Sequence, residues 1–386
     1  MSVRKRKWKT ARGVECEAWV VDYVDQKGER RLKTFTTKRE ADAWSITARH
    51  EVQQGTHTPS SVSKTVEEAA ELWISNAEAE GLEVSTIKQR RVHLRVHIKP
   101  FIGGEKLSAL TMPRISQFDV SLRDNGRSLA MRRKVLTSLK AMLTFAQSMG
   151  WIAQNVARGI KVKSDERNAP GPLREGHDFP TKAELRIIMD NAPARWRPLV
   201  ATAIFTGMRV SELRGLRWCD VNFADATIHV RQRADNWGKI GKPKSKAGSR
   251  DIPLAPIIVN ALKHWRNECP KSDLDLVFPN EDGRVKSYFA IRSDFWIPLL
   301  LANGISTGEI DENGVAIRKT KYSFHALRHA AASLFIAHLG WTPKRLQVVM
   351  GHASIAMTFD RYGHLFADHD NDREAMKKLQ AAVIAA

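Results

Sequence analysis

The chain holds four tyrosines in 386 residues, and one of them, Tyr362, sits in the polar run "HASIAMTFDRYGH" (352–364) between Arg361 and Gly363. A tyrosine meant only to pack would have apolar neighbours. Here His352 lies ten residues before it and His364 two after. A phenol ionises near pH 10, so it attacks phosphorus only where a base assists it and cations stabilise the transition state. The rest of the chain offers such groups. In "TGMRVSELRGLRW" (206–218), Gly207 breaks an apolar helix and Arg209 opens the next turn, where an arginine can meet an anion. "KPKSKAGSRDIPL" (242–254) is a basic turn between two strands, with Lys242, Lys244 and Lys246 close together. In "SFHALRHAA" (323–331), with Ser323 as the expected cap, His325 and Arg328 share one helix face and can converge on one phosphate. His325 and His329 could also form a metal pair, but no third ligand stands at a metal-like spacing. "MGH" closes one helix and Ser354 caps the next, so a short turn can bring His352 and Tyr362 together.

Two arginines would neutralise non-bridging oxygens, histidines would hydrogen-bond or accept the proton, and a lysine would protonate the departing 5′ oxygen. Losing one such positioned donor typically costs about 2.7–4 kcal/mol of barrier. This chemistry requires neither a metal nor a nucleotide, and the sequence has no phosphate-cradling glycine loop.

Positioning these groups takes several helices, and three Thr-x-x-Glu boxes mark where helices begin: Thr37/Glu40, Thr65/Glu68 and Thr181/Glu184. Each opens a different region. Residues 1–58 read as a basic start, two strands, "EAWVVDYV" and "ERRLKTFT", joined across "DQKG", and a helix from Lys38 with Ala41, Trp44, Ala48 and Val52 on one face. With Lys and Arg on the open sheet face this is either a small DNA-binding module or a plain structural cap. Gly55 to Ser63 has linker composition. Residues 64–160 read as almost entirely helical. In "STIKQRRVHLRVHIKP", Lys88, Arg91, Arg95 and Lys99 form a basic stripe, Ile87, Leu94 and Ile98 an apolar one, and Pro100 closes the helix. A second helix sets Arg132, Arg133 and Lys140 opposite Leu136, Leu139 and Leu143. The stripe contains no acid, so phosphate contacts explain it better than a solvated face. Residues 161–179 read as a linker, and 180–386 mix helices with a hairpin-like run around "TIHVRQ" and "SRDIPL".

The charge agrees with a polyanionic partner. Lys and Arg number 62 against 42 Asp and Glu, a net +20, and every phosphate neutralised releases condensed counterions. Three isolated cysteines, no secretory leader and no apolar run of membrane length point to the cytosol.

"TGMRVSEL", the hairpin lysine, "HALRH" and "GHASIAMTFDRYGH", in that order, resemble the tyrosine recombinases, the phage-type integrases in particular. "HIKPFIGGEKLSALT" and "SMGWIAQNVA" resemble that family's helical core-binding domain, and residues 1–58 its arm-type DNA-binding domain. The resemblance implies a multidomain, mainly α protein: a small β-sheet-plus-helix N-terminal domain, a helical core-binding domain and a mixed α+β catalytic domain. It implies a site-specific recombinase acting on double-stranded attachment-site DNA without a cofactor or metal, as a homotetramer on DNA. A directionality factor and a DNA-bending host protein often accompany the family, and the expected location is the bacterial cytoplasm, with the nucleoid. By resemblance Arg209 and Arg328 hold the scissile phosphate, with Glu212 supporting Arg209. Lys246 is the general acid, with Lys242 and Lys244 on the same turn. His325 assists proton transfer, His352 hydrogen-bonds the phosphate and Tyr362 forms the 3′-phosphotyrosine link. The C-terminal "NDREAMKKLQAAVIAA" could be a segment exchanged between protomers or an ordinary packed helix. Two departures stand out: the long segment 304–322, and Met350 in place of the leucine common before Gly-His. A type IB topoisomerase and a non-catalytic DNA-binding protein are the competing readings. The first fits the two N-terminal regions poorly, and the second would expect one of the six positions to be lost.

Overall fold

All three Thr-x-x-Glu boxes form, each with the threonine hydroxyl accepting from the glutamate amide and the glutamate returning to the threonine amide. The structure, a computed structural model, describes residues 1–9, 11, 15–25, 28–55, 57–162, 171–309, 319–366, 376–377 and 380–382. The chain divides into two compact units, Met1–Ala169 and Pro170–Ala386.

The first unit begins with three antiparallel strands in the order β1 (Ser2–Lys9), β2 (Glu15–Val24) and β3 (Arg30–Phe35). The basic N-terminal run, read from sequence only as charge, is thus itself a strand. Its cations are matched across the ladder, where Lys5 and Lys7 reach Glu17, Lys9 reaches Glu15, and Arg4 and Arg30 share Asp22. Helix α1 (Lys38–Gln53) lays Ala41, Trp44, Ala48 and Val52 toward the sheet, as its periodicity predicts. Residues 55–63 differ from a free linker. His57 is buried and its ring nitrogens meet Glu51 and the Tyr23 hydroxyl, each at 2.9 Å.

Helices α2 (Val66–Ala79), α3 (Val84–Val92), α4 (Lys99–Ile102), α5 (Met112–Asp124) and α6 (Leu129–Ser148) follow around one apolar core. Pro100 does not end the α3 path. A π-helical stretch, His93–Ile98, carries the chain into α4, and Pro100 takes the first turn of α4, where its missing amide costs nothing. The π stretch buries His93 and His97 beside Leu94 and Ile98.

In the second unit α7 (Lys182–Asn191) and α8 (Arg197–Thr206) lead to the five-residue α9 (Val210–Arg214). Strands β4 (Val221–Asn222) and β5 (Thr227–Val230) come next, then the small ribbon of β6 (Arg233–Ala234) and β7 (Ile240–Gly241). Strand β8 (Arg250–Pro253) returns antiparallel to β5, with Thr227 opposite Pro253 and Val230 opposite Arg250. After α10 (Pro256–Glu268), a turn α11 (Tyr288–Ala290) runs through a π stretch into α12 (Ile297–Ala302). The last helices are α13 (Ala326–Leu339), α14 (Pro343–Met350) and α15 (Ile355–Tyr362). Helices α8 and α13 are apolar almost all round and pack together at the centre, the position such a helix requires.

The long segment before α13 closes at its base, with Ser306 bridging Thr320 and Lys321 and Tyr322 both bonded to the capping Glu184. Its residues 310–318 and most of "NDREAMKKLQAAVIAA" lie outside the described residues. Among the described residues no helix is long and apolar enough to cross a membrane.

Candidate active site

Helix α8 stops at Gly207, whose φ of 61° is a left-handed conformation that favours glycine. A side chain there would also strike the Met350 sulfur at 2.9 Å, so Met350, fully buried, is part of the packing that seats this turn. Two residues on, Arg209 caps α9 and donates to Glu212 Oε1 at 2.8 Å and to the Gly351 carbonyl at 2.9 Å. Arg328, from the first turn of α13, donates to the Gly207 carbonyl at 2.5 Å and to the Met350 carbonyl. Each arginine therefore ties the end of one central helix to the end of α14, whose cap Gly351 has φ 63°.

A third guanidinium completes this centre. Arg250, at the start of β8, is buried and donates to both Glu212 oxygens, at 3.1 and 2.9 Å, and to the Val349 and Gly248 carbonyls. Sequence reasoning missed Arg250 because it follows a basic turn and reads as one more surface cation. The only signal was the period-2 alternation that buries Arg250 with Ile252. Burial alone would raise the Glu212 carboxyl; Arg250 above all, then Arg209 and Arg328, override it and hold it well below the carboxylate range. Arg328 is pulled down to about 9 by burial and by Arg209. Three guanidiniums share one carboxylate, so the centre carries surplus positive charge, and an anion would relieve it.

That centre opens on a cleft of about 450 Å³ lined by Arg209, Glu212, Lys244, Ser245, His325 and Gly351 among others. The hairpin lysine on its wall is Lys244. Lys246, expected as the general acid, begins the turn Lys246–Gly248 two residues further on, and both lysines are exposed. His325, not Ser323, stands at the N-cap of α13, and Ser323 instead accepts the Ala326 amide through its carbonyl. The His325 ring is open to solvent on its outer side, while the protein and arginines behind it hold its pKa below the imidazole range.

His352 and Tyr362 are both buried, and their rings lie nearly parallel, centroids 6.2 Å apart. His352 Nδ1 is 2.8 Å from Thr358 Oγ1, and burial with Arg328 and Arg209 lowers its pKa to about 3. The Tyr362 hydroxyl is 2.8 Å from His329 Nδ1. Burial pushes Tyr362 up to about 12, although Arg328 and Arg361 pull the other way. His329 thus faces the tyrosine rather than forming a metal pair with His325. Among the described residues no group of three His, Cys, Asp or Glu could hold a metal ion.

The other expected DNA contacts are divided. Lys88, Arg95 and Arg133 are exposed on the first unit. Arg91 pairs with Glu78 and Lys99 with Glu67, so acids from α2 face a stripe that lacks them in sequence. Arg132 is held by Asp119 and Lys140 by the Ile160 carbonyl, which makes both internal ties. Arg90 stacks 3.9 Å over the Trp73 ring and, with Arg133 and Lys134, lines a basic cleft that the sequence did not indicate.

Residues 179–369, the stretch that holds the whole constellation, match the phage integrase family. The whole chain is 23% identical to a XerC-like tyrosine recombinase of Caldanaerobacter subterraneus, over 88% of its own length and 90% of the relative's. It is 24% identical to the prophage integrase IntR of Escherichia coli, over 82% and 80% of the two chains. Among solved structures, the integrase of transposon Tn1549 with a circular intermediate DNA superposes with a TM-score of 0.65 at 21% identity, covering 82% of this chain and all of that one. A lambda integrase dimer bound to a core site gives 0.57 at 18% identity, over 94% of each chain. The fold is shared with both.

Proposed function

We propose that the chain is a site-specific tyrosine recombinase that cuts and rejoins duplex DNA through a covalent 3′-phosphotyrosine link, integrating or excising a phage or other mobile element. The observation that carries this is the surplus of buried guanidinium charge around Glu212, beside a tyrosine whose hydroxyl already has a histidine partner. A phosphodiester in the cleft would take donors from Arg209 and Arg328 that now reach backbone carbonyls. His352, fixed by Thr358, would add a hydrogen bond. Tyr362 would attack phosphorus and Lys246, or Lys244 from the cleft wall, would protonate the departing 5′ oxygen, with His325 at the cleft mouth assisting.

The relatives include a prophage integrase and a transposon transposase, and solved neighbours were captured on DNA as a dimer and as a tetramer on a Holliday junction. By that likeness the working form here is a homotetramer on two attachment sites, aided by a directionality factor and a DNA-bending host protein, in the bacterial cytoplasm with the nucleoid. Lys88, Arg95, Arg133 and the Arg90–Trp73 cleft are its expected backbone contacts in the first unit.

A nicked duplex spanning the ends of the genomic element that carries the coding region tests this, because the nick lets the short cleaved strand diffuse away. The expected result is protein covalently attached to the strand that retains the 3′ phosphate, formed equally well in EDTA. Relaxation of any supercoiled plasmid without site preference would instead favour a topoisomerase.

A further inference from the structure

His329 stands in the run "HALRH", yet neither phosphate binding nor leaving-group protonation uses it. Its Nδ1 is 2.8 Å from Tyr362 Oη, and among the described residues that hydroxyl has no other hydrogen-bond partner. A buried phenol must donate its proton to something. Were His329 Nδ1 the donor, the phenolic hydrogen would be left without an acceptor. The phenol is therefore the donor and Nδ1 the acceptor, which places the imidazole proton on Nε2. The ring is held by the edge of His325, centroids 5.2 Å apart, and sits 5.9 Å from the Tyr362 ring. His325, by contrast, lies on the cleft wall among the groups that meet the phosphate.

Resting on the recombinase reading above, we propose that His329 is the general base that takes the proton of Tyr362 during strand cleavage. As the Tyr362 Oη–H bond breaks, the proton passes to His329 Nδ1 and the Oη–P bond forms. The P–O5′ bond breaks in the same displacement, and its electron pair takes a proton from the lysine of the 242–246 turn. The charged groups around His329 are Arg328 on α13, Arg361 on α15 and Asp178, with the titratable rings of His325 at the α13 cap and His352 between α14 and α15 beside it. Cations dominate that set, so the imidazolium formed is short-lived and returns its proton to Tyr362 when a 5′ hydroxyl attacks the phosphotyrosine. The same pair thus serves cleavage and rejoining, as microscopic reversibility requires.

Single-turnover cleavage of the nicked duplex between pH 6.5 and 9.5 tests the assignment, with His329→Ala, His329→Gln, a double variant Lys244→Ala with Lys246→Ala, and wild type compared at equal DNA occupancy. Both His329 variants should cleave about 100-fold more slowly at neutral pH, and their rates should climb about tenfold per pH unit as phenolate forms unaided, more steeply than wild type. A substrate with sulfur at the departing 5′ position needs no acid. It should restore the double lysine variant and leave both His329 variants slow. Unaltered cleavage by His329→Gln, or equal rescue of all three variants by the sulfur substrate, overturns the proposal. Wild type that forms adduct beside unaffected His329 variants defeats this inference alone, whereas wild type that never forms adduct defeats the recombinase reading with it.

Discussion

Which lysine of a basic turn meets a reacting phosphate is a matter of side-chain direction, and Lys244 and Lys246, two residues apart, are both exposed. Both lie on one turn, but only Lys244 is on the cleft wall with Arg209 and His325. Lys244→Ala should therefore slow cleavage by about 100-fold or more, while Lys246→Ala should stay near wild type in the same single-turnover assay. The reverse ranking would return the acid role to Lys246. The six motif positions stand out in the sequence because their residue types and order are unusual together, and the fold brings Arg209, Arg328, His352 and Tyr362 to the ends of neighbouring helices. Arg250 and the basic cleft at Trp73 were not, since burial and ion pairing across distant elements leave little trace in a linear sequence. The buried histidines also make a stability prediction. His329 and His352 are depressed from near 6.5 to about 4 and about 3, so between those values the unfolded chain binds more protons than the folded one. Stability then rises with pH through that window and falls as the solution is acidified below about 6.5. Melting followed from pH 7 to 4.5 should show the fall, and His352→Gln should flatten it. A slope unchanged by that substitution would contradict the burial argument.

At the scale of elements, helix starts were legible because capping is local chemistry, and all three Thr-x-x-Glu boxes form. Thr181 is the most consequential of them. Its partner Glu184 also receives Lys321 and the Tyr322 hydroxyl, which fastens the base of the 304–322 segment to α7. Thr181→Ala should cost about 1 kcal/mol, a fall in melting midpoint of roughly 2–4 °C, and Thr181→Ser should restore most of it. No loss on calorimetry would mean that Glu184 is held by Lys321 and Tyr322 alone. Helix continuations were less legible. Pro100 reads as a stop, but a π stretch before it lets the chain carry on, and the extra residue turns His93 and His97 inward. Likewise "GTHTPSSVS" has linker composition, while His57 within it is anchored by Glu51 and Tyr23, partners 6 and 34 residues away.

For the whole molecule, a net charge of +20 far exceeds what the catalytic centre holds, and exposed cations on the first unit account for part of it. If six to ten of them meet phosphates, duplex affinity should fall about 10³–10⁵-fold between 50 and 200 mM salt. A shallow log–log slope would show that the charge serves solubility instead. The division into Met1–Ala169 and Pro170–Ala386 falls inside residues 161–179, where composition alone suggested a break. The central claim, however, rests on one atom. Covalent DNA complex formed on the nicked duplex, digested with protease and sequenced by mass spectrometry, should carry its nucleotide on Tyr362, and Tyr362→Phe should yield no complex. Nucleotide attached to any other residue, or complex formed by the phenylalanine variant, would contradict the account.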